Sequence, residues 1–173
     1  QLDLILCLCD SLNYVIDLKD VKQAFENTYN ALKKGGSFIF DIDSMYKMET
    51  ILKDYDEEND EDDFYFHWHV DRISKGYVKH SVEIIDKVEN DRVYEEHYQK
   101  TYDVETYIEL LEKIGFKNIN IDMMFGLPNQ SLNIWLESLK EVTELNPEHI
   151  SSYSLIIEEK TPFYSLYNKD LLD

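Results

Sequence analysis

An α/β fold with a small antiparallel sheet set into it is what the sequence predicts, and three observations predict it. Residues 2–9 form a continuous apolar run, residues 20–34 a helical pattern and residues 37–42 a second apolar run. Strand, helix and strand in that order make a βαβ unit with parallel strands. Three segments of alternating apolar and polar residues follow at 64–71, 77–88 and 92–102, the pattern of antiparallel strands. A second strand, helix and strand then run from Phe116 to Ile157.

Each element has a local reason. The run LDLILCLC has no polar alternation, as expected of a strand covered on both faces. Asp10-Ser11-Leu12-Asn13-Tyr14 reads as a loop. Asp20 suits a helix N-cap with Gln23 at the capping-box position. Val21, Ala24, Phe25, Thr28 and Leu32 then share one face. Lys33 and Lys34 complement the negative helix end, and Gly35-Gly36 supplies the positive φ that ends a helix. This glycine pair follows a helix instead of preceding one, so it is read as structure and not as a phosphate cradle. Residues 54–63, DYDEENDEDD, read as a solvated acidic loop without the spacing of a calcium loop. Lys75-Gly76 and Glu89-Asn90-Asp91 are expected turns. Asp103 caps a helix with Val104, Tyr107, Ile108 and Leu111 inward, ended by Gly115. Residues 116–125 carry a strand, broken by Gly126-Leu127-Pro128. Ser131 opens a helix with Leu132, Trp135, Leu136, Leu139 and Val142 inward. Residues 149–157 form the last strand, and Thr161-Pro162 a turn.

Composition narrows the function. The chain has 173 residues, a hydrophobic fraction of 43 % and a formal net charge of −19. The apolar fraction suits a packed core. The charge argues against a nucleic-acid backbone or an anionic membrane as partner, since both need clustered Lys and Arg. No apolar run reaches the length of a membrane span. Cys7 and Cys9 are the only cysteines, spaced so that they share a strand face and do not bridge readily. A reducing cytoplasm is the expected compartment, and the sequon at Asn129-Gln130-Ser131 then carries no consequence. The chain passes from Gln1 straight into an apolar strand, which is read as a truncated N-terminus.

Ligands of open parallel sheets sit beyond the carboxyl ends of the strands. Asp10 lies just past the first strand, and Asp41 and Asp43 at the end of the second. Two readings stand: the three carboxylates face one crevice and orient a cationic or hydroxyl-bearing ligand, or they serve loop and capping chemistry. His67, His69, His80 and His97 lie on the alternating strands, but no cysteine or HExxH pattern supports a metal site. Phe64, Tyr65, Phe66 and Trp68 either wall a pocket or pack the small sheet.

Residues 3–15, DLILCLCDSLNYV, and 31–47, ALKKGGSFIFDIDSMYK, resemble class I S-adenosylmethionine (SAM)-dependent methyltransferases, and 95–121, EEHYQKTYDVETYIELLEKIGFKNINI, fits their C-terminal region. The resemblance implies that residues 1–121 are the C-terminal part of a Rossmann-like methyltransferase domain, with its fourth and fifth strands at 2–9 and 37–42 and the antiparallel sheet as a substrate-side cover. It implies SAM as cofactor, with Cys9, Asp10, Ser11 and Asn13 along its pocket, and Asp41 and Asp43 near a small-molecule methyl acceptor of unspecified kind. Methyl transfer to an acceptor heteroatom rests mostly on positioning. The family's glycine-rich loop and ribose-holding acid have no counterpart here.

From Asn120 the likeness changes. NIDMMFGLPNQSLNIWLESLKEVTELNPEHISSYSLIIEEKTPFYSLY, residues 120–167, resembles the radical-SAM family of HemW and oxygen-independent coproporphyrinogen III oxidase. This implies a βαβ fragment of a partial barrel over residues 122–173, with Asp122 matching a SAM-contacting aspartate, and a link to haem handling. The CxxxCxxC motif for an iron–sulfur cluster is missing, and two cysteines do not supply its thiolates. The join falls in residues 118–122. Self-association through an open sheet edge is also expected.

Overall fold

The computed structural model describes residues 1–128, 130–161, 164 and 165. Asn129 of the sequon and Pro162 of the last expected turn lie outside them, as do Phe163 and residues 166–173. The chain divides into two compact units, Gln1–Gly115 and Phe116–Asp173.

The first unit opens with β1 (Leu2–Cys7), α1 (Leu18–Ala31) and β2 (Leu32–Phe40). β1 and β2 pair in parallel, so this is the expected βαβ unit. Its boundaries differ from the sequence reading in instructive ways. Asp17, not Asp20, is the N-cap, and Gln23 bonds Asn27 along the helix instead of closing a capping box. The helix stops at Ala31, and β2 begins at once with Leu32. Gly35, at φ 82°, therefore makes a bulge inside β2 and does not end the helix. Lys33 to Gly36 stand opposite Asp3 alone, where the register jumps from Leu2↔Leu32 to Leu4↔Ser37. Positive φ serves a bulge as well as a helix end, so the glycine pair fitted both. Lys33 then lies beside β1 and pairs with Asp3 at 2.8 Å.

β1 is not covered on both faces. Leu2, Leu4 and Leu6 are 53, 49 and 53 % exposed. Among the described residues β1 pairs only with β2. The core of this part lies on the α1 side: Phe25 is fully buried, with Phe38 and Phe40 of β2 at ring distances of 5.8 and 5.4 Å. Tyr107 of α2 (Val104–Ile114) closes it from a third side at 6.4 Å. Tyr107 and Leu111 are buried, Asp103 is the N-cap, and Gly115 stops the helix at φ 124°, as expected, whereas Val104, also expected inward, is exposed.

The antiparallel sheet has the order β3-β4-β5-β6, with β3 at Asp56–Asp60, β4 at Phe64–Ser74, β5 at Tyr77–Asp86 and β6 at Asp91–Lys100. The acidic stretch is thus no loop. Its centre forms β3, wholly exposed and paired to β4. Charge on an outer strand discourages further pairing and does not prevent the strand from forming. A π-helical turn at Lys47–Ile51 lays Met48 and Leu52 on Val70 and Val78, a second buried cluster edged by Tyr55 and Trp68.

Gly76 makes the β4–β5 turn at φ 64°. Its N–H donates to Glu49 Oε1 at 2.6 Å, and its carbonyl accepts from Thr101 N–H at 2.8 Å. A Cβ there would stand 2.6 Å from the Thr101 carbonyl oxygen. Backbone does not yield cheaply, and φ itself disfavours an L side chain. Gly76→Ala is expected to cost about 1–3 kcal/mol, read as a drop of several degrees in thermal melting; an unchanged melt would contradict the packing described here.

The second unit holds β7 (Asn120–Phe125), α3 (Leu132–Glu144) and β8 (His149–Ser154), with β7 and β8 parallel. Ser131 caps α3, its side chain accepting from Ile134 N–H at 3.3 Å. The expected inward face is not buried: no residue of α3 is, and Leu132 and Leu136 are 70 and 50 % exposed. One helix on a two-stranded sheet has little surface to cover it. Trp135 still reaches Phe125 of β7, at 5.5 Å between rings.

Candidate functional site

The carboxyl ends of β1 and β2 meet one face of the antiparallel sheet. Alternation along the strands builds that face: Trp68 and Val70 on β4, Val78, His80 and Val82 on β5, His97 and Gln99 on β6. The register confirms it, with Trp68↔Val82, Val70↔His80, His80↔His97 and Val78↔Gln99 paired. His67 and His69 point to the opposite face, where His67 meets Asp56 at 2.6 Å and His69 meets Asp71 at 3.2 Å. The four histidines therefore do not converge. Among the described residues no group of three or more His, Cys, Asp or Glu is placed to hold a metal ion.

Asn13 ties the loops to the sheet. It lies in a 3₁₀ turn, Ser11–Tyr14, and is fully buried. Its amide donates to the Lys100 carbonyl at 3.0 Å, and its side-chain oxygen accepts from Asp43 N–H at 2.9 Å. One side chain thus joins the loop after β1, the loop after β2 and the end of β6. Cys9 and Asp10 precede it in the left-handed region, at φ 60 and 50°. That turn aims Asp10 N–H at Asp41 Oδ2, 2.8 Å away, and lets Asp10 Oδ2 accept from Gln99 at 2.7 Å. Ser11 turns back onto the Leu8 carbonyl at 2.5 Å. Asp43 receives Lys47 at 2.7 Å.

A cavity of about 220 Å³ opens here, lined by Asp10, Tyr14, Asp43, Lys47, Leu52, Trp68, His80, Val82, His97 and Gln99. Of the residues expected at a site, Asp10 and Asp43 line it. Asn13 and Asp41 support it from behind, while Ser11 is spent on the backbone. Cys9 is exposed and free, and burial followed by the nearby negative Asp41 raises the Cys7 thiol above its usual range. Asp122 lies in the other unit, exposed, accepting from Asn120 at 2.6 Å. Tyr14, Lys47 and Gln99 were missed by sequence reasoning, which weighed His80 and His97 only as metal ligands. Polar His80 and Gln99 at core-facing strand positions were the available signal.

His80 is only 7 % exposed. Its Nδ1 faces Trp68 Nε1–H at 3.1 Å, and its Nε2 is buried without a hydrogen-bond partner. Since the indole N–H only donates, Nδ1 accepts and the neutral ring carries its proton on Nε2. Burial, the leading cause, holds its pKa below the usual 6.5. The unfolded chain therefore takes up this proton first as pH falls. This group's contribution is full above about 6.5 and is lost between there and the lower folded value. Unfolding free energy should be smaller at pH 5.5 than at pH 7.5, and His80→Gln should reduce that difference; an undiminished difference would contradict the burial. His97 differs: its Nε2 meets Glu95 at 3.0 Å and its Nδ1 meets the Tyr14 hydroxyl at 3.3 Å.

The SAM fit can be judged on these residues. The cavity is below the roughly 300–1,000 Å³ of pockets that enclose a drug-sized ligand. The polar groups of Ser11 and Asn13 and the N–H of Asp10 are already committed. These residues do not hold the whole of SAM; the cavity suits an acceptor-sized group.

Comparison with known proteins gives two likenesses. No family model matches the chain. A S-adenosylmethionine-dependent methyltransferase of Clostridium acetobutylicum of solved structure is 34 % identical, with a TM-score of 0.60 over 65 % of this chain and 46 % of that one. YqeM of Bacillus subtilis, a protein named as a methyltransferase, is 31 % identical over 123 residues, 68 % of this chain and 49 % of its own. The haem chaperone HemW of the same bacterium is 43 % identical over 103 residues, 60 % of this chain and 25 % of its own. The HemW likeness reaches further than the stretch whose motifs carry it, and the two likenesses overlap. The chain spans about half the length of the methyltransferase relatives and a quarter of the HemW relative. It thus has relatives in two families, the methyltransferases, whose α/β fold it shares, and the HemW haem chaperones.

Proposed function

We propose that this chain serves SAM-dependent methyl transfer and supplies the acceptor side of that site. One observation carries the reading: the loops after two parallel strands are locked by Asn13 onto the sheet face that walls the cavity. The likeness to methyltransferases supports it. Residues 1–121 are then the C-terminal part of a class I methyltransferase domain, with the antiparallel sheet as cover. Cys9 and the outer oxygen of Asp10 border the cofactor. Residues 122–173 are a HemW-like radical-SAM fragment, a stretch that carries Asp122 and no cysteine of its own.

Trp68 reports on the cavity. In a Trp135→Phe background its emission should change saturably as S-adenosylhomocysteine is added at millimolar concentration; a flat titration would contradict the reading. The edge of β1 that is unpaired among the described residues is the proposed place of self-association. Gel filtration should then show a concentration-dependent dimer, and a monomer at all concentrations would remove that part.

A further inference from the structure

We propose that the cavity of the first unit binds a small hydroxylated amine in its protonated form, with the Asp10 carboxylate as counter-ion and His80 Nε2–H as donor to a ligand hydroxyl. The ligand's role as methyl acceptor rests on the preceding reading; its binding does not.

Two carboxylates line the cavity, and they differ. Asp43 already has Lys47 at 2.7 Å. Asp10 has only the neutral Gln99 amide at 2.7 Å, and no cation of the described residues pairs with it. The wall therefore presents one uncompensated negative charge, in a chain of net charge −19 whose field concentrates cations. The rings of Trp68 and Tyr14 line the same space. Aromatic faces attract an ammonium and a carboxylate pairs with it, whereas an anion meets neither.

His80 adds the second feature. It is 7 % exposed, it lines the cavity, and its Nε2 is buried with no hydrogen bond made at 3.5 Å or less, although the Gln99 side chain stands close enough to favour the protonated ring. With Trp68 N–H on Nδ1, that unpaired nitrogen carries a proton. A buried donor left unmade is costly and marks a place for an acceptor oxygen. A ligand hydroxyl reaching Nε2 after a small movement of the neighbouring wall would satisfy it. A volume of about 220 Å³ limits the ligand to a small molecule.

Tris(hydroxymethyl)aminomethane and pentaerythritol test this directly, because they share a skeleton and differ by an ammonium in place of a hydroxymethyl group. Each is titrated at pH 7 into the full chain in phosphate buffer, followed by amide chemical shifts. Tris is expected to shift Asp10, His80 and His97 and to bind at least about tenfold more tightly than pentaerythritol, about 1.4 kcal/mol. Asp10→Asn should abolish the preference. Equal binding of the two, no shifts at these residues, or an undiminished preference in a folded Asp10→Asn chain would overturn the proposal. The wild-type comparison stands even if that variant does not fold. A parallel titration with S-adenosylhomocysteine separates the two readings: a response to it without a Tris preference defeats this proposal alone, and the reverse defeats the methyl-transfer reading alone.

Discussion

Phe25→Ala should destabilise the first unit by about 3–5 kcal/mol, the largest effect expected of any single apolar truncation among the described residues. Phe25 is fully buried and touches two other elements, with Phe38 and Phe40 on β2 and Tyr107 on α2. The open side of β1 supplies no compensating core, since Leu2, Leu4 and Leu6 are half exposed. The truncation removes the transfer energy of the ring and leaves a cavity between a helix pair and a sheet that do not close on it. Urea unfolding followed by Trp68 emission in the Trp135→Phe background measures it. Phe25→Leu should lose a smaller part of that stability. A loss below about 1 kcal/mol for the alanine variant would show that the βαβ unit packs elsewhere.

Asn13→Ala is the second large effect, and it joins stability to the site. The variant leaves the Lys100 carbonyl and the Asp43 N–H without their side-chain partner. Each buried group left unpaired costs about 1–3 kcal/mol. The loop after β1 and the loop after β2 should then loosen together. Hydrogen exchange at the Asp43 amide should accelerate, and the Trp68 response to cavity ligands should weaken. Asn13→Asp makes a sharper control. Its carboxylate still accepts from Asp43 N–H but faces the Lys100 carbonyl oxygen, so it should be no better than alanine. A near-native Asn13→Asp chain would contradict the bonding described.

Much of this fold was legible because its elements carry local signals. β4, β5 and β6 alternate with period two, and the turns at Gly76 and Asn90 hold positive φ. α2 has Asp103 before it and Gly115 after it. The errors fall where one local signal serves two geometries. Gly35-Gly36 suits a helix end or a bulge, and only the pairing of Leu4 with Ser37 decides. Asp54 to Asp63 is as acidic as a loop, yet its middle pairs with Tyr65 to His69 because an outer strand tolerates charge. The apolar run of β1 promised burial that no described neighbour provides.

The site was half legible for a related reason. Asp10 and Asp43 announced themselves by lying past strand ends, where ligands of parallel sheets gather. His80, His97 and Gln99 come from distant strands and acquire meaning only through the register that sets His80 opposite His97. Asn13 was expected in a loop beside a cofactor; its two hydrogen bonds show in addition that it ties both loops to the sheet. The Asp122 side chain has Asn120 as its one hydrogen-bond partner among the described residues, which marks it neither as a ligand contact nor as a structural tie.

We propose, as the central point, that any SAM-directed chemistry of this chain belongs to the loop after β1 and not to β7. Amide chemical-shift mapping of the full chain with millimolar S-adenosylhomocysteine tests it most directly. The account predicts weak, fast-exchange shifts at Cys9, Asp10 and Ser11, with Asp122 to Gly126 unmoved. Shifts confined to Asp122–Gly126 would contradict it.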